Sequence, residues 1–274
     1  MLRSMYSGVS GMKGFQTKLD VIGNNIANVN TVGFKAGRVM FKDILSQTTG
    51  GVTAPQPGTK GGVNAKQVGL GVQVGSIDTM HMAGSAQTTN NPTDLRIDGD
   101  GFFVVKLDDN QQVPYLTRAG DFHIDAERNL VTSDGLLVCD ENGTPITLQS
   151  NTVSFSISND GSIIETDDTG QANVNVRIGV AKVANPEGLE KLGGNLYRTT
   201  LNADNRPDLG GGGWVANDST LGSGAIISGQ LEMSNVDLTS EFTEMIVAQR
   251  GFQANSRIIT TSDEVLQEVV NLKR

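Results

Sequence analysis

The hydrophobic positions of this chain follow two patterns, one at its ends and another between them. Near the start, Leu2, Met5, Val9, Met12, Leu19 and Ile26 recur in alternating steps of three and four, with Gln16 and Gly23 filling two gaps. Near the end, Leu238, Phe242, Met245, Phe252, Ile259, Leu266 and Val270 do the same, interrupted by Gln249, Ser256 and Asp263. Such spacing gathers side chains into one stripe along a helix, the seam of a coiled coil. It predicts a first helix over Leu2–Ala27 that closes in the run Asn24, Asn25, Asn28, Asn30 and Gly33. A last helix is predicted from about Leu238, capped by Ser234 or Asp237. Phe34–Leu45 fits either a short helix or an extended arm.

From Gly69 onward the period switches to two. Gly69–Ile77, Leu95–Lys106 and Val174–Val180 read as strands, and Asp134-Gly135, Asn142-Gly143 and Asp160-Gly161 mark tight turns between them. The expected architecture is therefore mainly β with terminal α-helices. Residues 1–45 and 234–274 pair as a coiled-coil-like helical unit, and a sandwich- or barrel-like β domain is inserted at 69–233. Residues 46–68, rich in Gly, Thr, Pro and Gln, read as a flexible arm or linker.

Composition agrees with this division: 34 glycines and a 5% aromatic content suit turn-rich β structure. The charge is uneven. Residues 1–45 carry +4 and residues 235–274 carry −2, so the chain's −9 leaves −11 on the middle. An acidic body of this kind argues against a nucleic-acid partner. Cys139 is the single cysteine, which excludes a disulfide framework. No apolar run approaches a membrane span, and the N-terminal apolar positions are interleaved with Arg3, Lys13 and Lys18 rather than forming a signal-peptide core. On those grounds alone the expected compartment is the cytosol.

Candidate chemistry is sparse. Asp98-Gly-Asp100-Gly resembles the opening of a calcium loop, but the following FFVVK reads as a strand, so a tight turn before a buried strand is the better reading. Gly69-Leu-Gly71 with Gly75 misses dinucleotide-loop spacing. His81 and His123 are the two histidines, too few for a three-His metal site. No catalytic, cofactor-binding or metal site is expected. Trp214, among glycines, reads as a loop anchor.

The run Leu19–Lys35 (LDVIGNNIANVNTVGFK) resembles the N-terminal signature of the flagellar rod and hook proteins. Ser234–Leu238, Glu244–Arg250, Phe252–Asn255 and Leu266–Leu272 resemble the closing helix of that family, and Asp98–Phe103 and Tyr115–Gly120 resemble its inner β strands. The resemblance implies an axial protein exported through the type III flagellar apparatus without a cleaved signal, which replaces the cytosolic expectation. It implies a helical homopolymer whose neighbours are rod and hook–filament junction proteins, the hook cap and the export apparatus. The assembly interface is then the seam residues named above together with Ile22, Asn24, Asn25, Asn28, Gly33, Phe34 and Ile246.

Within the family, the compact length favours a rod protein, whereas Val-Asp-Leu followed by Ile-Val-Ala-Gln-Arg resembles the hook pattern, as does Asp20–Asn28 (DVIGNNIAN). The sequence reading favours a short hook protein of Gram-positive type, with the stiff distal rod protein as its alternative. Because one narrow seam cannot satisfy both helices, the ends are expected to be disordered in the free chain and to fold on assembly. The acidic β domain is expected to make polar, sliding contacts in the outer wall of the tube.

Overall fold

The computed structural model describes residues 2–55, 61–109, 111–204 and 213–272, apart from the side chains of Leu2 and Asn175. It is mainly β with one helix at each end, α1 (Leu2–Ala27) and α2 (Leu238–Asn271), which pack together. The chain divides into two compact units. The helical unit comprises 1–27, 37–79 and 237–274, and the β unit comprises 28–36 and 80–236.

In the helical unit, α2 starts as expected at Asp237, whose carboxylate accepts the Thr239 N–H at 3.0 Å. Ser234, the other candidate cap, accepts instead from the Val236 N–H. The segment Phe34–Leu45 resolves as extended: Gly37–Asp43 pairs antiparallel with Val72–Thr79, with a register shift at Met40/Phe41. The ladder continues into the stretch read as a flexible arm or linker, where Ser46–Gly50 pairs with Lys66–Gly69 and Thr53 bridges Val63. Alternating Thr, Gln and Val in that stretch supply the strand propensity that its Gly and Pro content obscured. Part of the arm, 56–60, lies outside the described residues.

The β unit is built on an open antiparallel sheet. Its strands run in the order Glu190–Gly193, Leu196–Arg198, Tyr115–Thr117, Phe102–Lys106, Leu137–Val138, Leu130–Thr132 and Phe122–Ile124, with Val180–Ala181 also on Phe102–Lys106. Among the described residues the two end strands do not pair, so the barrel-like expectation gives way to an open sheet. A three-stranded sheet, Thr152–Ile157, Ser162–Asp167 and Ala172–Arg177, lies beside it in sequence.

Phe102–Lys106 explains why a continuous apolar run was needed. Its alternate side chains enter two different cores: Phe103 and Val105 join Phe122, Leu95 and Ile146, while Phe102 and Val104 join Leu116, Tyr197 and Trp214. Phe103 and Phe122 meet edge-to-face at 5.1 Å. The Gly99–Gly101 sequence between the strand Leu95–Asp98 and this one is a bend, with Gly101 at φ +136°. The run expected as one strand over Val174–Val180 is broken. A Cβ at Gly179 would stand 2.5 Å from the Asp140 carbonyl, and beyond this close approach Val180 pairs in a different sheet.

Candidate assembly interface

The site expected from sequence is the pair of helical stripes, and within the helical unit α1 and α2 run antiparallel. Contacts step up one helix and down the other: Ser4 hydroxyl with Ser262, Gly8 with Ile259, Gly11 with Asn255, Phe15 with Gly251, Lys18 with Glu244, Asn25 with Glu241. The closest approaches are made by glycine. A methyl group at Gly11 would lie 2.9 Å from the Asn255 amide, and one at Gly251 would lie 2.6 Å from the Phe15 ring. Ala248 is fully buried. Gly14 lies under Phe41 of the strand Gly37–Asp43, and the Phe15 and Phe41 rings sit 5.9 Å apart.

One polar node closes the end of this seam. Asn25, 1% exposed, donates to the Gly37 carbonyl and to Glu241 Oε1 while its own oxygen accepts the Gly37 N–H. Burial pushes the Glu241 carboxyl up from its usual value, the Asn25 hydrogen bond opposing it.

The observed seam is displaced from the expected stripes. Its tightest positions are Gly8, Gly11, Ile22 and Asn25 on α1 and Ala248 on α2. Of the expected interface residues, Met5, Met12, Leu19, Ile26, Met245, Ile259 and Leu266 are half-buried. Val9, Asn24, Leu238, Phe242, Ile246, Phe252 and Val270 are exposed, Phe242 by 50% and Val270 by 63%. Leu2 opens α1, and its side chain lies outside the described part.

Four expected interface residues are buried within the single chain. Ile22 and Asn25 are buried in the helical unit, while Gly33 and Phe34 belong to the β unit. Gly33, at φ +68°, donates its N–H to the Glu232 carbonyl, and a side chain there would strike the Arg118–Ala119 backbone at 2.6 Å. Phe34 is 3% exposed under the Lys191 ammonium, 4.2 Å from its ring centre. Asn28 accepts from the Thr31 hydroxyl and N–H in the same unit, fixing the turn that follows α1.

The seam glycines were missed from sequence, although a signal existed. Gly8, Gly11 and Gly14 recur every third residue inside a helix, where each costs about 1 kcal/mol relative to Ala. Such a cost is retained where two backbones must approach closely.

The other candidates resolve as structure. His81 packs edge-on against Phe102 and Tyr197, at 5.6 and 5.4 Å. Burial and the nearby cations hold its pKa down to about 4. The Cys139 thiol is buried and pushed up to about 12 by desolvation. Among the described residues, no three His, Cys, Asp or Glu side chains gather as a metal site, and no helix is long and apolar enough to cross a membrane.

Three segments match known families: 5–35 the flagella basal body rod protein family, 96–165 the flagellar hook protein FlgE/F/G D1 domain, and 227–272 the flagellar basal body rod FlgEFG protein C-terminal region. The chain is 55% identical to a flagellar basal-body rod protein FlgG of Bacillus subtilis over the full length of both. The chain belongs to the flagellar rod and hook protein family. It is also 37% identical to the FlgG rod protein of Borreliella burgdorferi, again over both whole chains. A flagellar hook protein FlgE of Treponema pallidum is 53% identical over 131 residues, 48% of this chain and 27% of that one. Rod and hook proteins are structural parts of the flagellum.

Proposed function

We propose that this chain is a subunit of the distal rod, polymerising helically into a stiff tube that carries motor torque outward. The observation that carries the reading is the full-length similarity to a protein named as a basal-body rod protein. The hook relatives support the alternative less well. One matches over a quarter of its length, and another, from Borreliella burgdorferi, is 28% identical over an alignment drawn out to 452 positions. The preference for a hook protein drawn from short motifs gives way to this.

The mechanism follows from how the helical unit spends its residues. Small side chains close the seam between α1 and α2, so Phe242, Ile246, Phe252 and Val270 are left outward for neighbouring copies. Burying such a residue on assembly contributes roughly 1.5–3 kcal/mol, and repetition along a helical lattice multiplies it. The paired strands Ser46–Gly50 and Lys66–Gly69 are exposed nearly throughout, and a two-stranded ribbon is marginal without further packing. Neighbouring subunits supply that packing in this reading. Adjoining rod and hook–junction proteins, the hook cap and the export apparatus are the further partners, reached by type III export without a cleaved signal.

Cells lacking the chain distinguish the two readings. A distal rod subunit leaves basal bodies that stop short and carry no hook, whereas a hook subunit leaves a complete rod with the hook alone missing. Polymers grown from the purified chain add a second criterion in the electron microscope: straight tubes support the rod, curved ones the hook.

A further inference from the structure

The β unit contains one buried charge cluster that the assembly reading does not use. Lys35, Arg118 and Glu232 have side chains 0, 3 and 1% exposed. Glu232 Oε1 accepts from Lys35 Nζ at 2.6 Å and from the Gly84 N–H at 2.9 Å, while Oε2 accepts from Arg118 Nη1 at 3.2 Å. Its carbonyl accepts the Gly33 N–H at 2.8 Å. Lys35 Nζ also donates to the Met82 carbonyl, and Arg118 Nη2 to that of Gly99.

A single carboxylate thus joins three pieces of chain: 28–36 as it enters the β unit, 80–84 as it re-enters, and 230–236 as it leaves. Asn235 ties the same three together, accepting the Ala36 N–H and donating to the Met80 carbonyl. Two buried cations share one buried anion, so the cluster already carries an excess positive charge. Removing the anion would strand both cations in low dielectric.

We propose that Glu232 is the bolt of a proton-released lock: ionised, it clamps segments 28–36, 80–84 and 230–236 on the β unit, and protonated, it frees them while the sheet stays folded. The release is local because Lys35 and Arg118 are mounted differently. Lys35 sits on a segment with no helix or strand and can carry its charge out to water. Arg118 follows the ladder strand Tyr115–Thr117 and keeps its bond to Gly99.

A cavity of about 130 Å³ lined by His81, Asp100, Arg118 and Lys182 opens beside the Arg118 side of the cluster. The groups facing the cluster are Lys35 from the entry segment, Arg118 beside its strand, His81 after Met80, and Lys191 and Tyr197 from the strands Glu190–Gly193 and Leu196–Arg198. Asp100 and Lys182 stand at the cavity, 3.9 Å apart.

Burial pushes the Glu232 carboxyl up, but Arg118, Lys35 and the Gly84 N–H hold it below its usual value. Its contribution is therefore complete above the ordinary carboxylate range, starts to fall there, and is lost as pH drops below that range through the lower folded value. His81 acts in the same sense. Its folded pKa of about 4 lies below the ordinary 6.5, so acidification from near 6.5 toward 4 charges it at the expense of the fold and adds a third cation.

Hydrogen exchange on the full chain, corrected for intrinsic rates, tests the lock. The reporters are the amides of Gly33, Ala36 and Gly84, and the references are those of Phe102–Lys106. Between pH 7 and about pH 3 the reporters should lose roughly tenfold or more protection relative to the references, most of it below pH 4.5. Glu232→Gln should produce the same selective loss at pH 7. If that variant does not fold, the pH comparison on the unaltered chain decides alone. Equal loss at reporters and references, or none at either, overturns the proposal. In His81→Gln a retained acid response supports Glu232 as the bolt, and an abolished one overturns that assignment.

Discussion

In the β unit Phe103, Phe122, Leu116 and Tyr197 are at most 1% exposed, whereas in the helical unit Phe242, Ile246 and Val270 are 50–63% exposed and the closest packing is made by glycines. The two units belong to one chain and draw on the same residue types, yet they bury opposite ends of the size range. A unit that encloses its large side chains gains the transfer energy within the protomer and is complete alone. One that closes its own seam with Gly and Ala, leaving Phe and Ile outward, can gain most of that energy only when something else covers it. On the proposal that the chain is a rod subunit, the division separates a folded body from an interface completed by neighbouring copies.

Removing α1, residues 2–27, should break the comparison open. Tube formation should be lost entirely, while the β unit keeps its fold, checked by Trp214 fluorescence and near-ultraviolet circular dichroism. If the β unit also unfolds, it is not complete alone and the contrast between the units fails.

Point substitutions should divide the same way. Phe103→Ala should cost about 3–5 kcal/mol in urea unfolding, the usual range for an aromatic deleted from a closed core. Phe242→Ala should change the free chain by less than about 0.5 kcal/mol and instead raise the concentration needed for polymerisation. Similar unfolding costs for the two would mean that the half-exposed stripe is already satisfied within the protomer.

The seam glycines sharpen the contrast at smaller magnitude. Gly251→Val drives a side chain into the Phe15 ring and should destabilise the helical unit by about 1–3 kcal/mol despite better helix propensity. Gly23, with nothing within 4 Å of its missing Cβ, provides the control. Gly23→Ala should stabilise by up to about 1 kcal/mol, and both effects can be read from helical circular dichroism on heating.

Much of this was legible in the sequence, and the failures have physical causes. Heptad spacing located both helices, with α1 ending at the expected Ala27, because a 3.6-residue period leaves a long repeated trace. The FFVVK run announced a strand buried on both faces. The face used within the chain was misread because hydrophobic periodicity weights large residues, whereas the seam is made by small ones. That displaced the stripe by about one position, from Val9 and Met12 to Gly8 and Gly11. The strands 46–50 and 66–69 lie in a stretch whose Gly and Pro read as a flexible arm or linker, because their pairing depends on a partner strand about twenty residues away. The Lys35–Glu232 pair spans 197 residues of sequence, a separation that no local pattern records. The hook preference came from two short motifs shared by related proteins, which full-length similarity outweighed.

The smallest of these effects concerns the point where the chain passes from one unit to the other. Asp237 accepts the Thr239 N–H at 3.0 Å and has the extended backbone of an N-cap, φ −94° and ψ 107°. Replacing a capping carboxylate with Ala leaves a helix N–H without its acceptor and should cost about 1 kcal/mol. Asp237→Asn keeps an acceptor and loses only the charge beside the helix N-terminus, which should cost about 0.3–1 kcal/mol at low salt and less as salt is added. Ser234 provides the contrast, being buried in the β unit with its hydroxyl committed to Val236. Ser234→Ala should therefore leave the melting of α2 unchanged and register in the β unit, where exchange of the Val236 amide would report it. If the two substitutions instead lowered α2 melting equally, the chain would be capped at both positions, and the boundary between the self-sufficient body and the unfinished interface would lie three residues earlier.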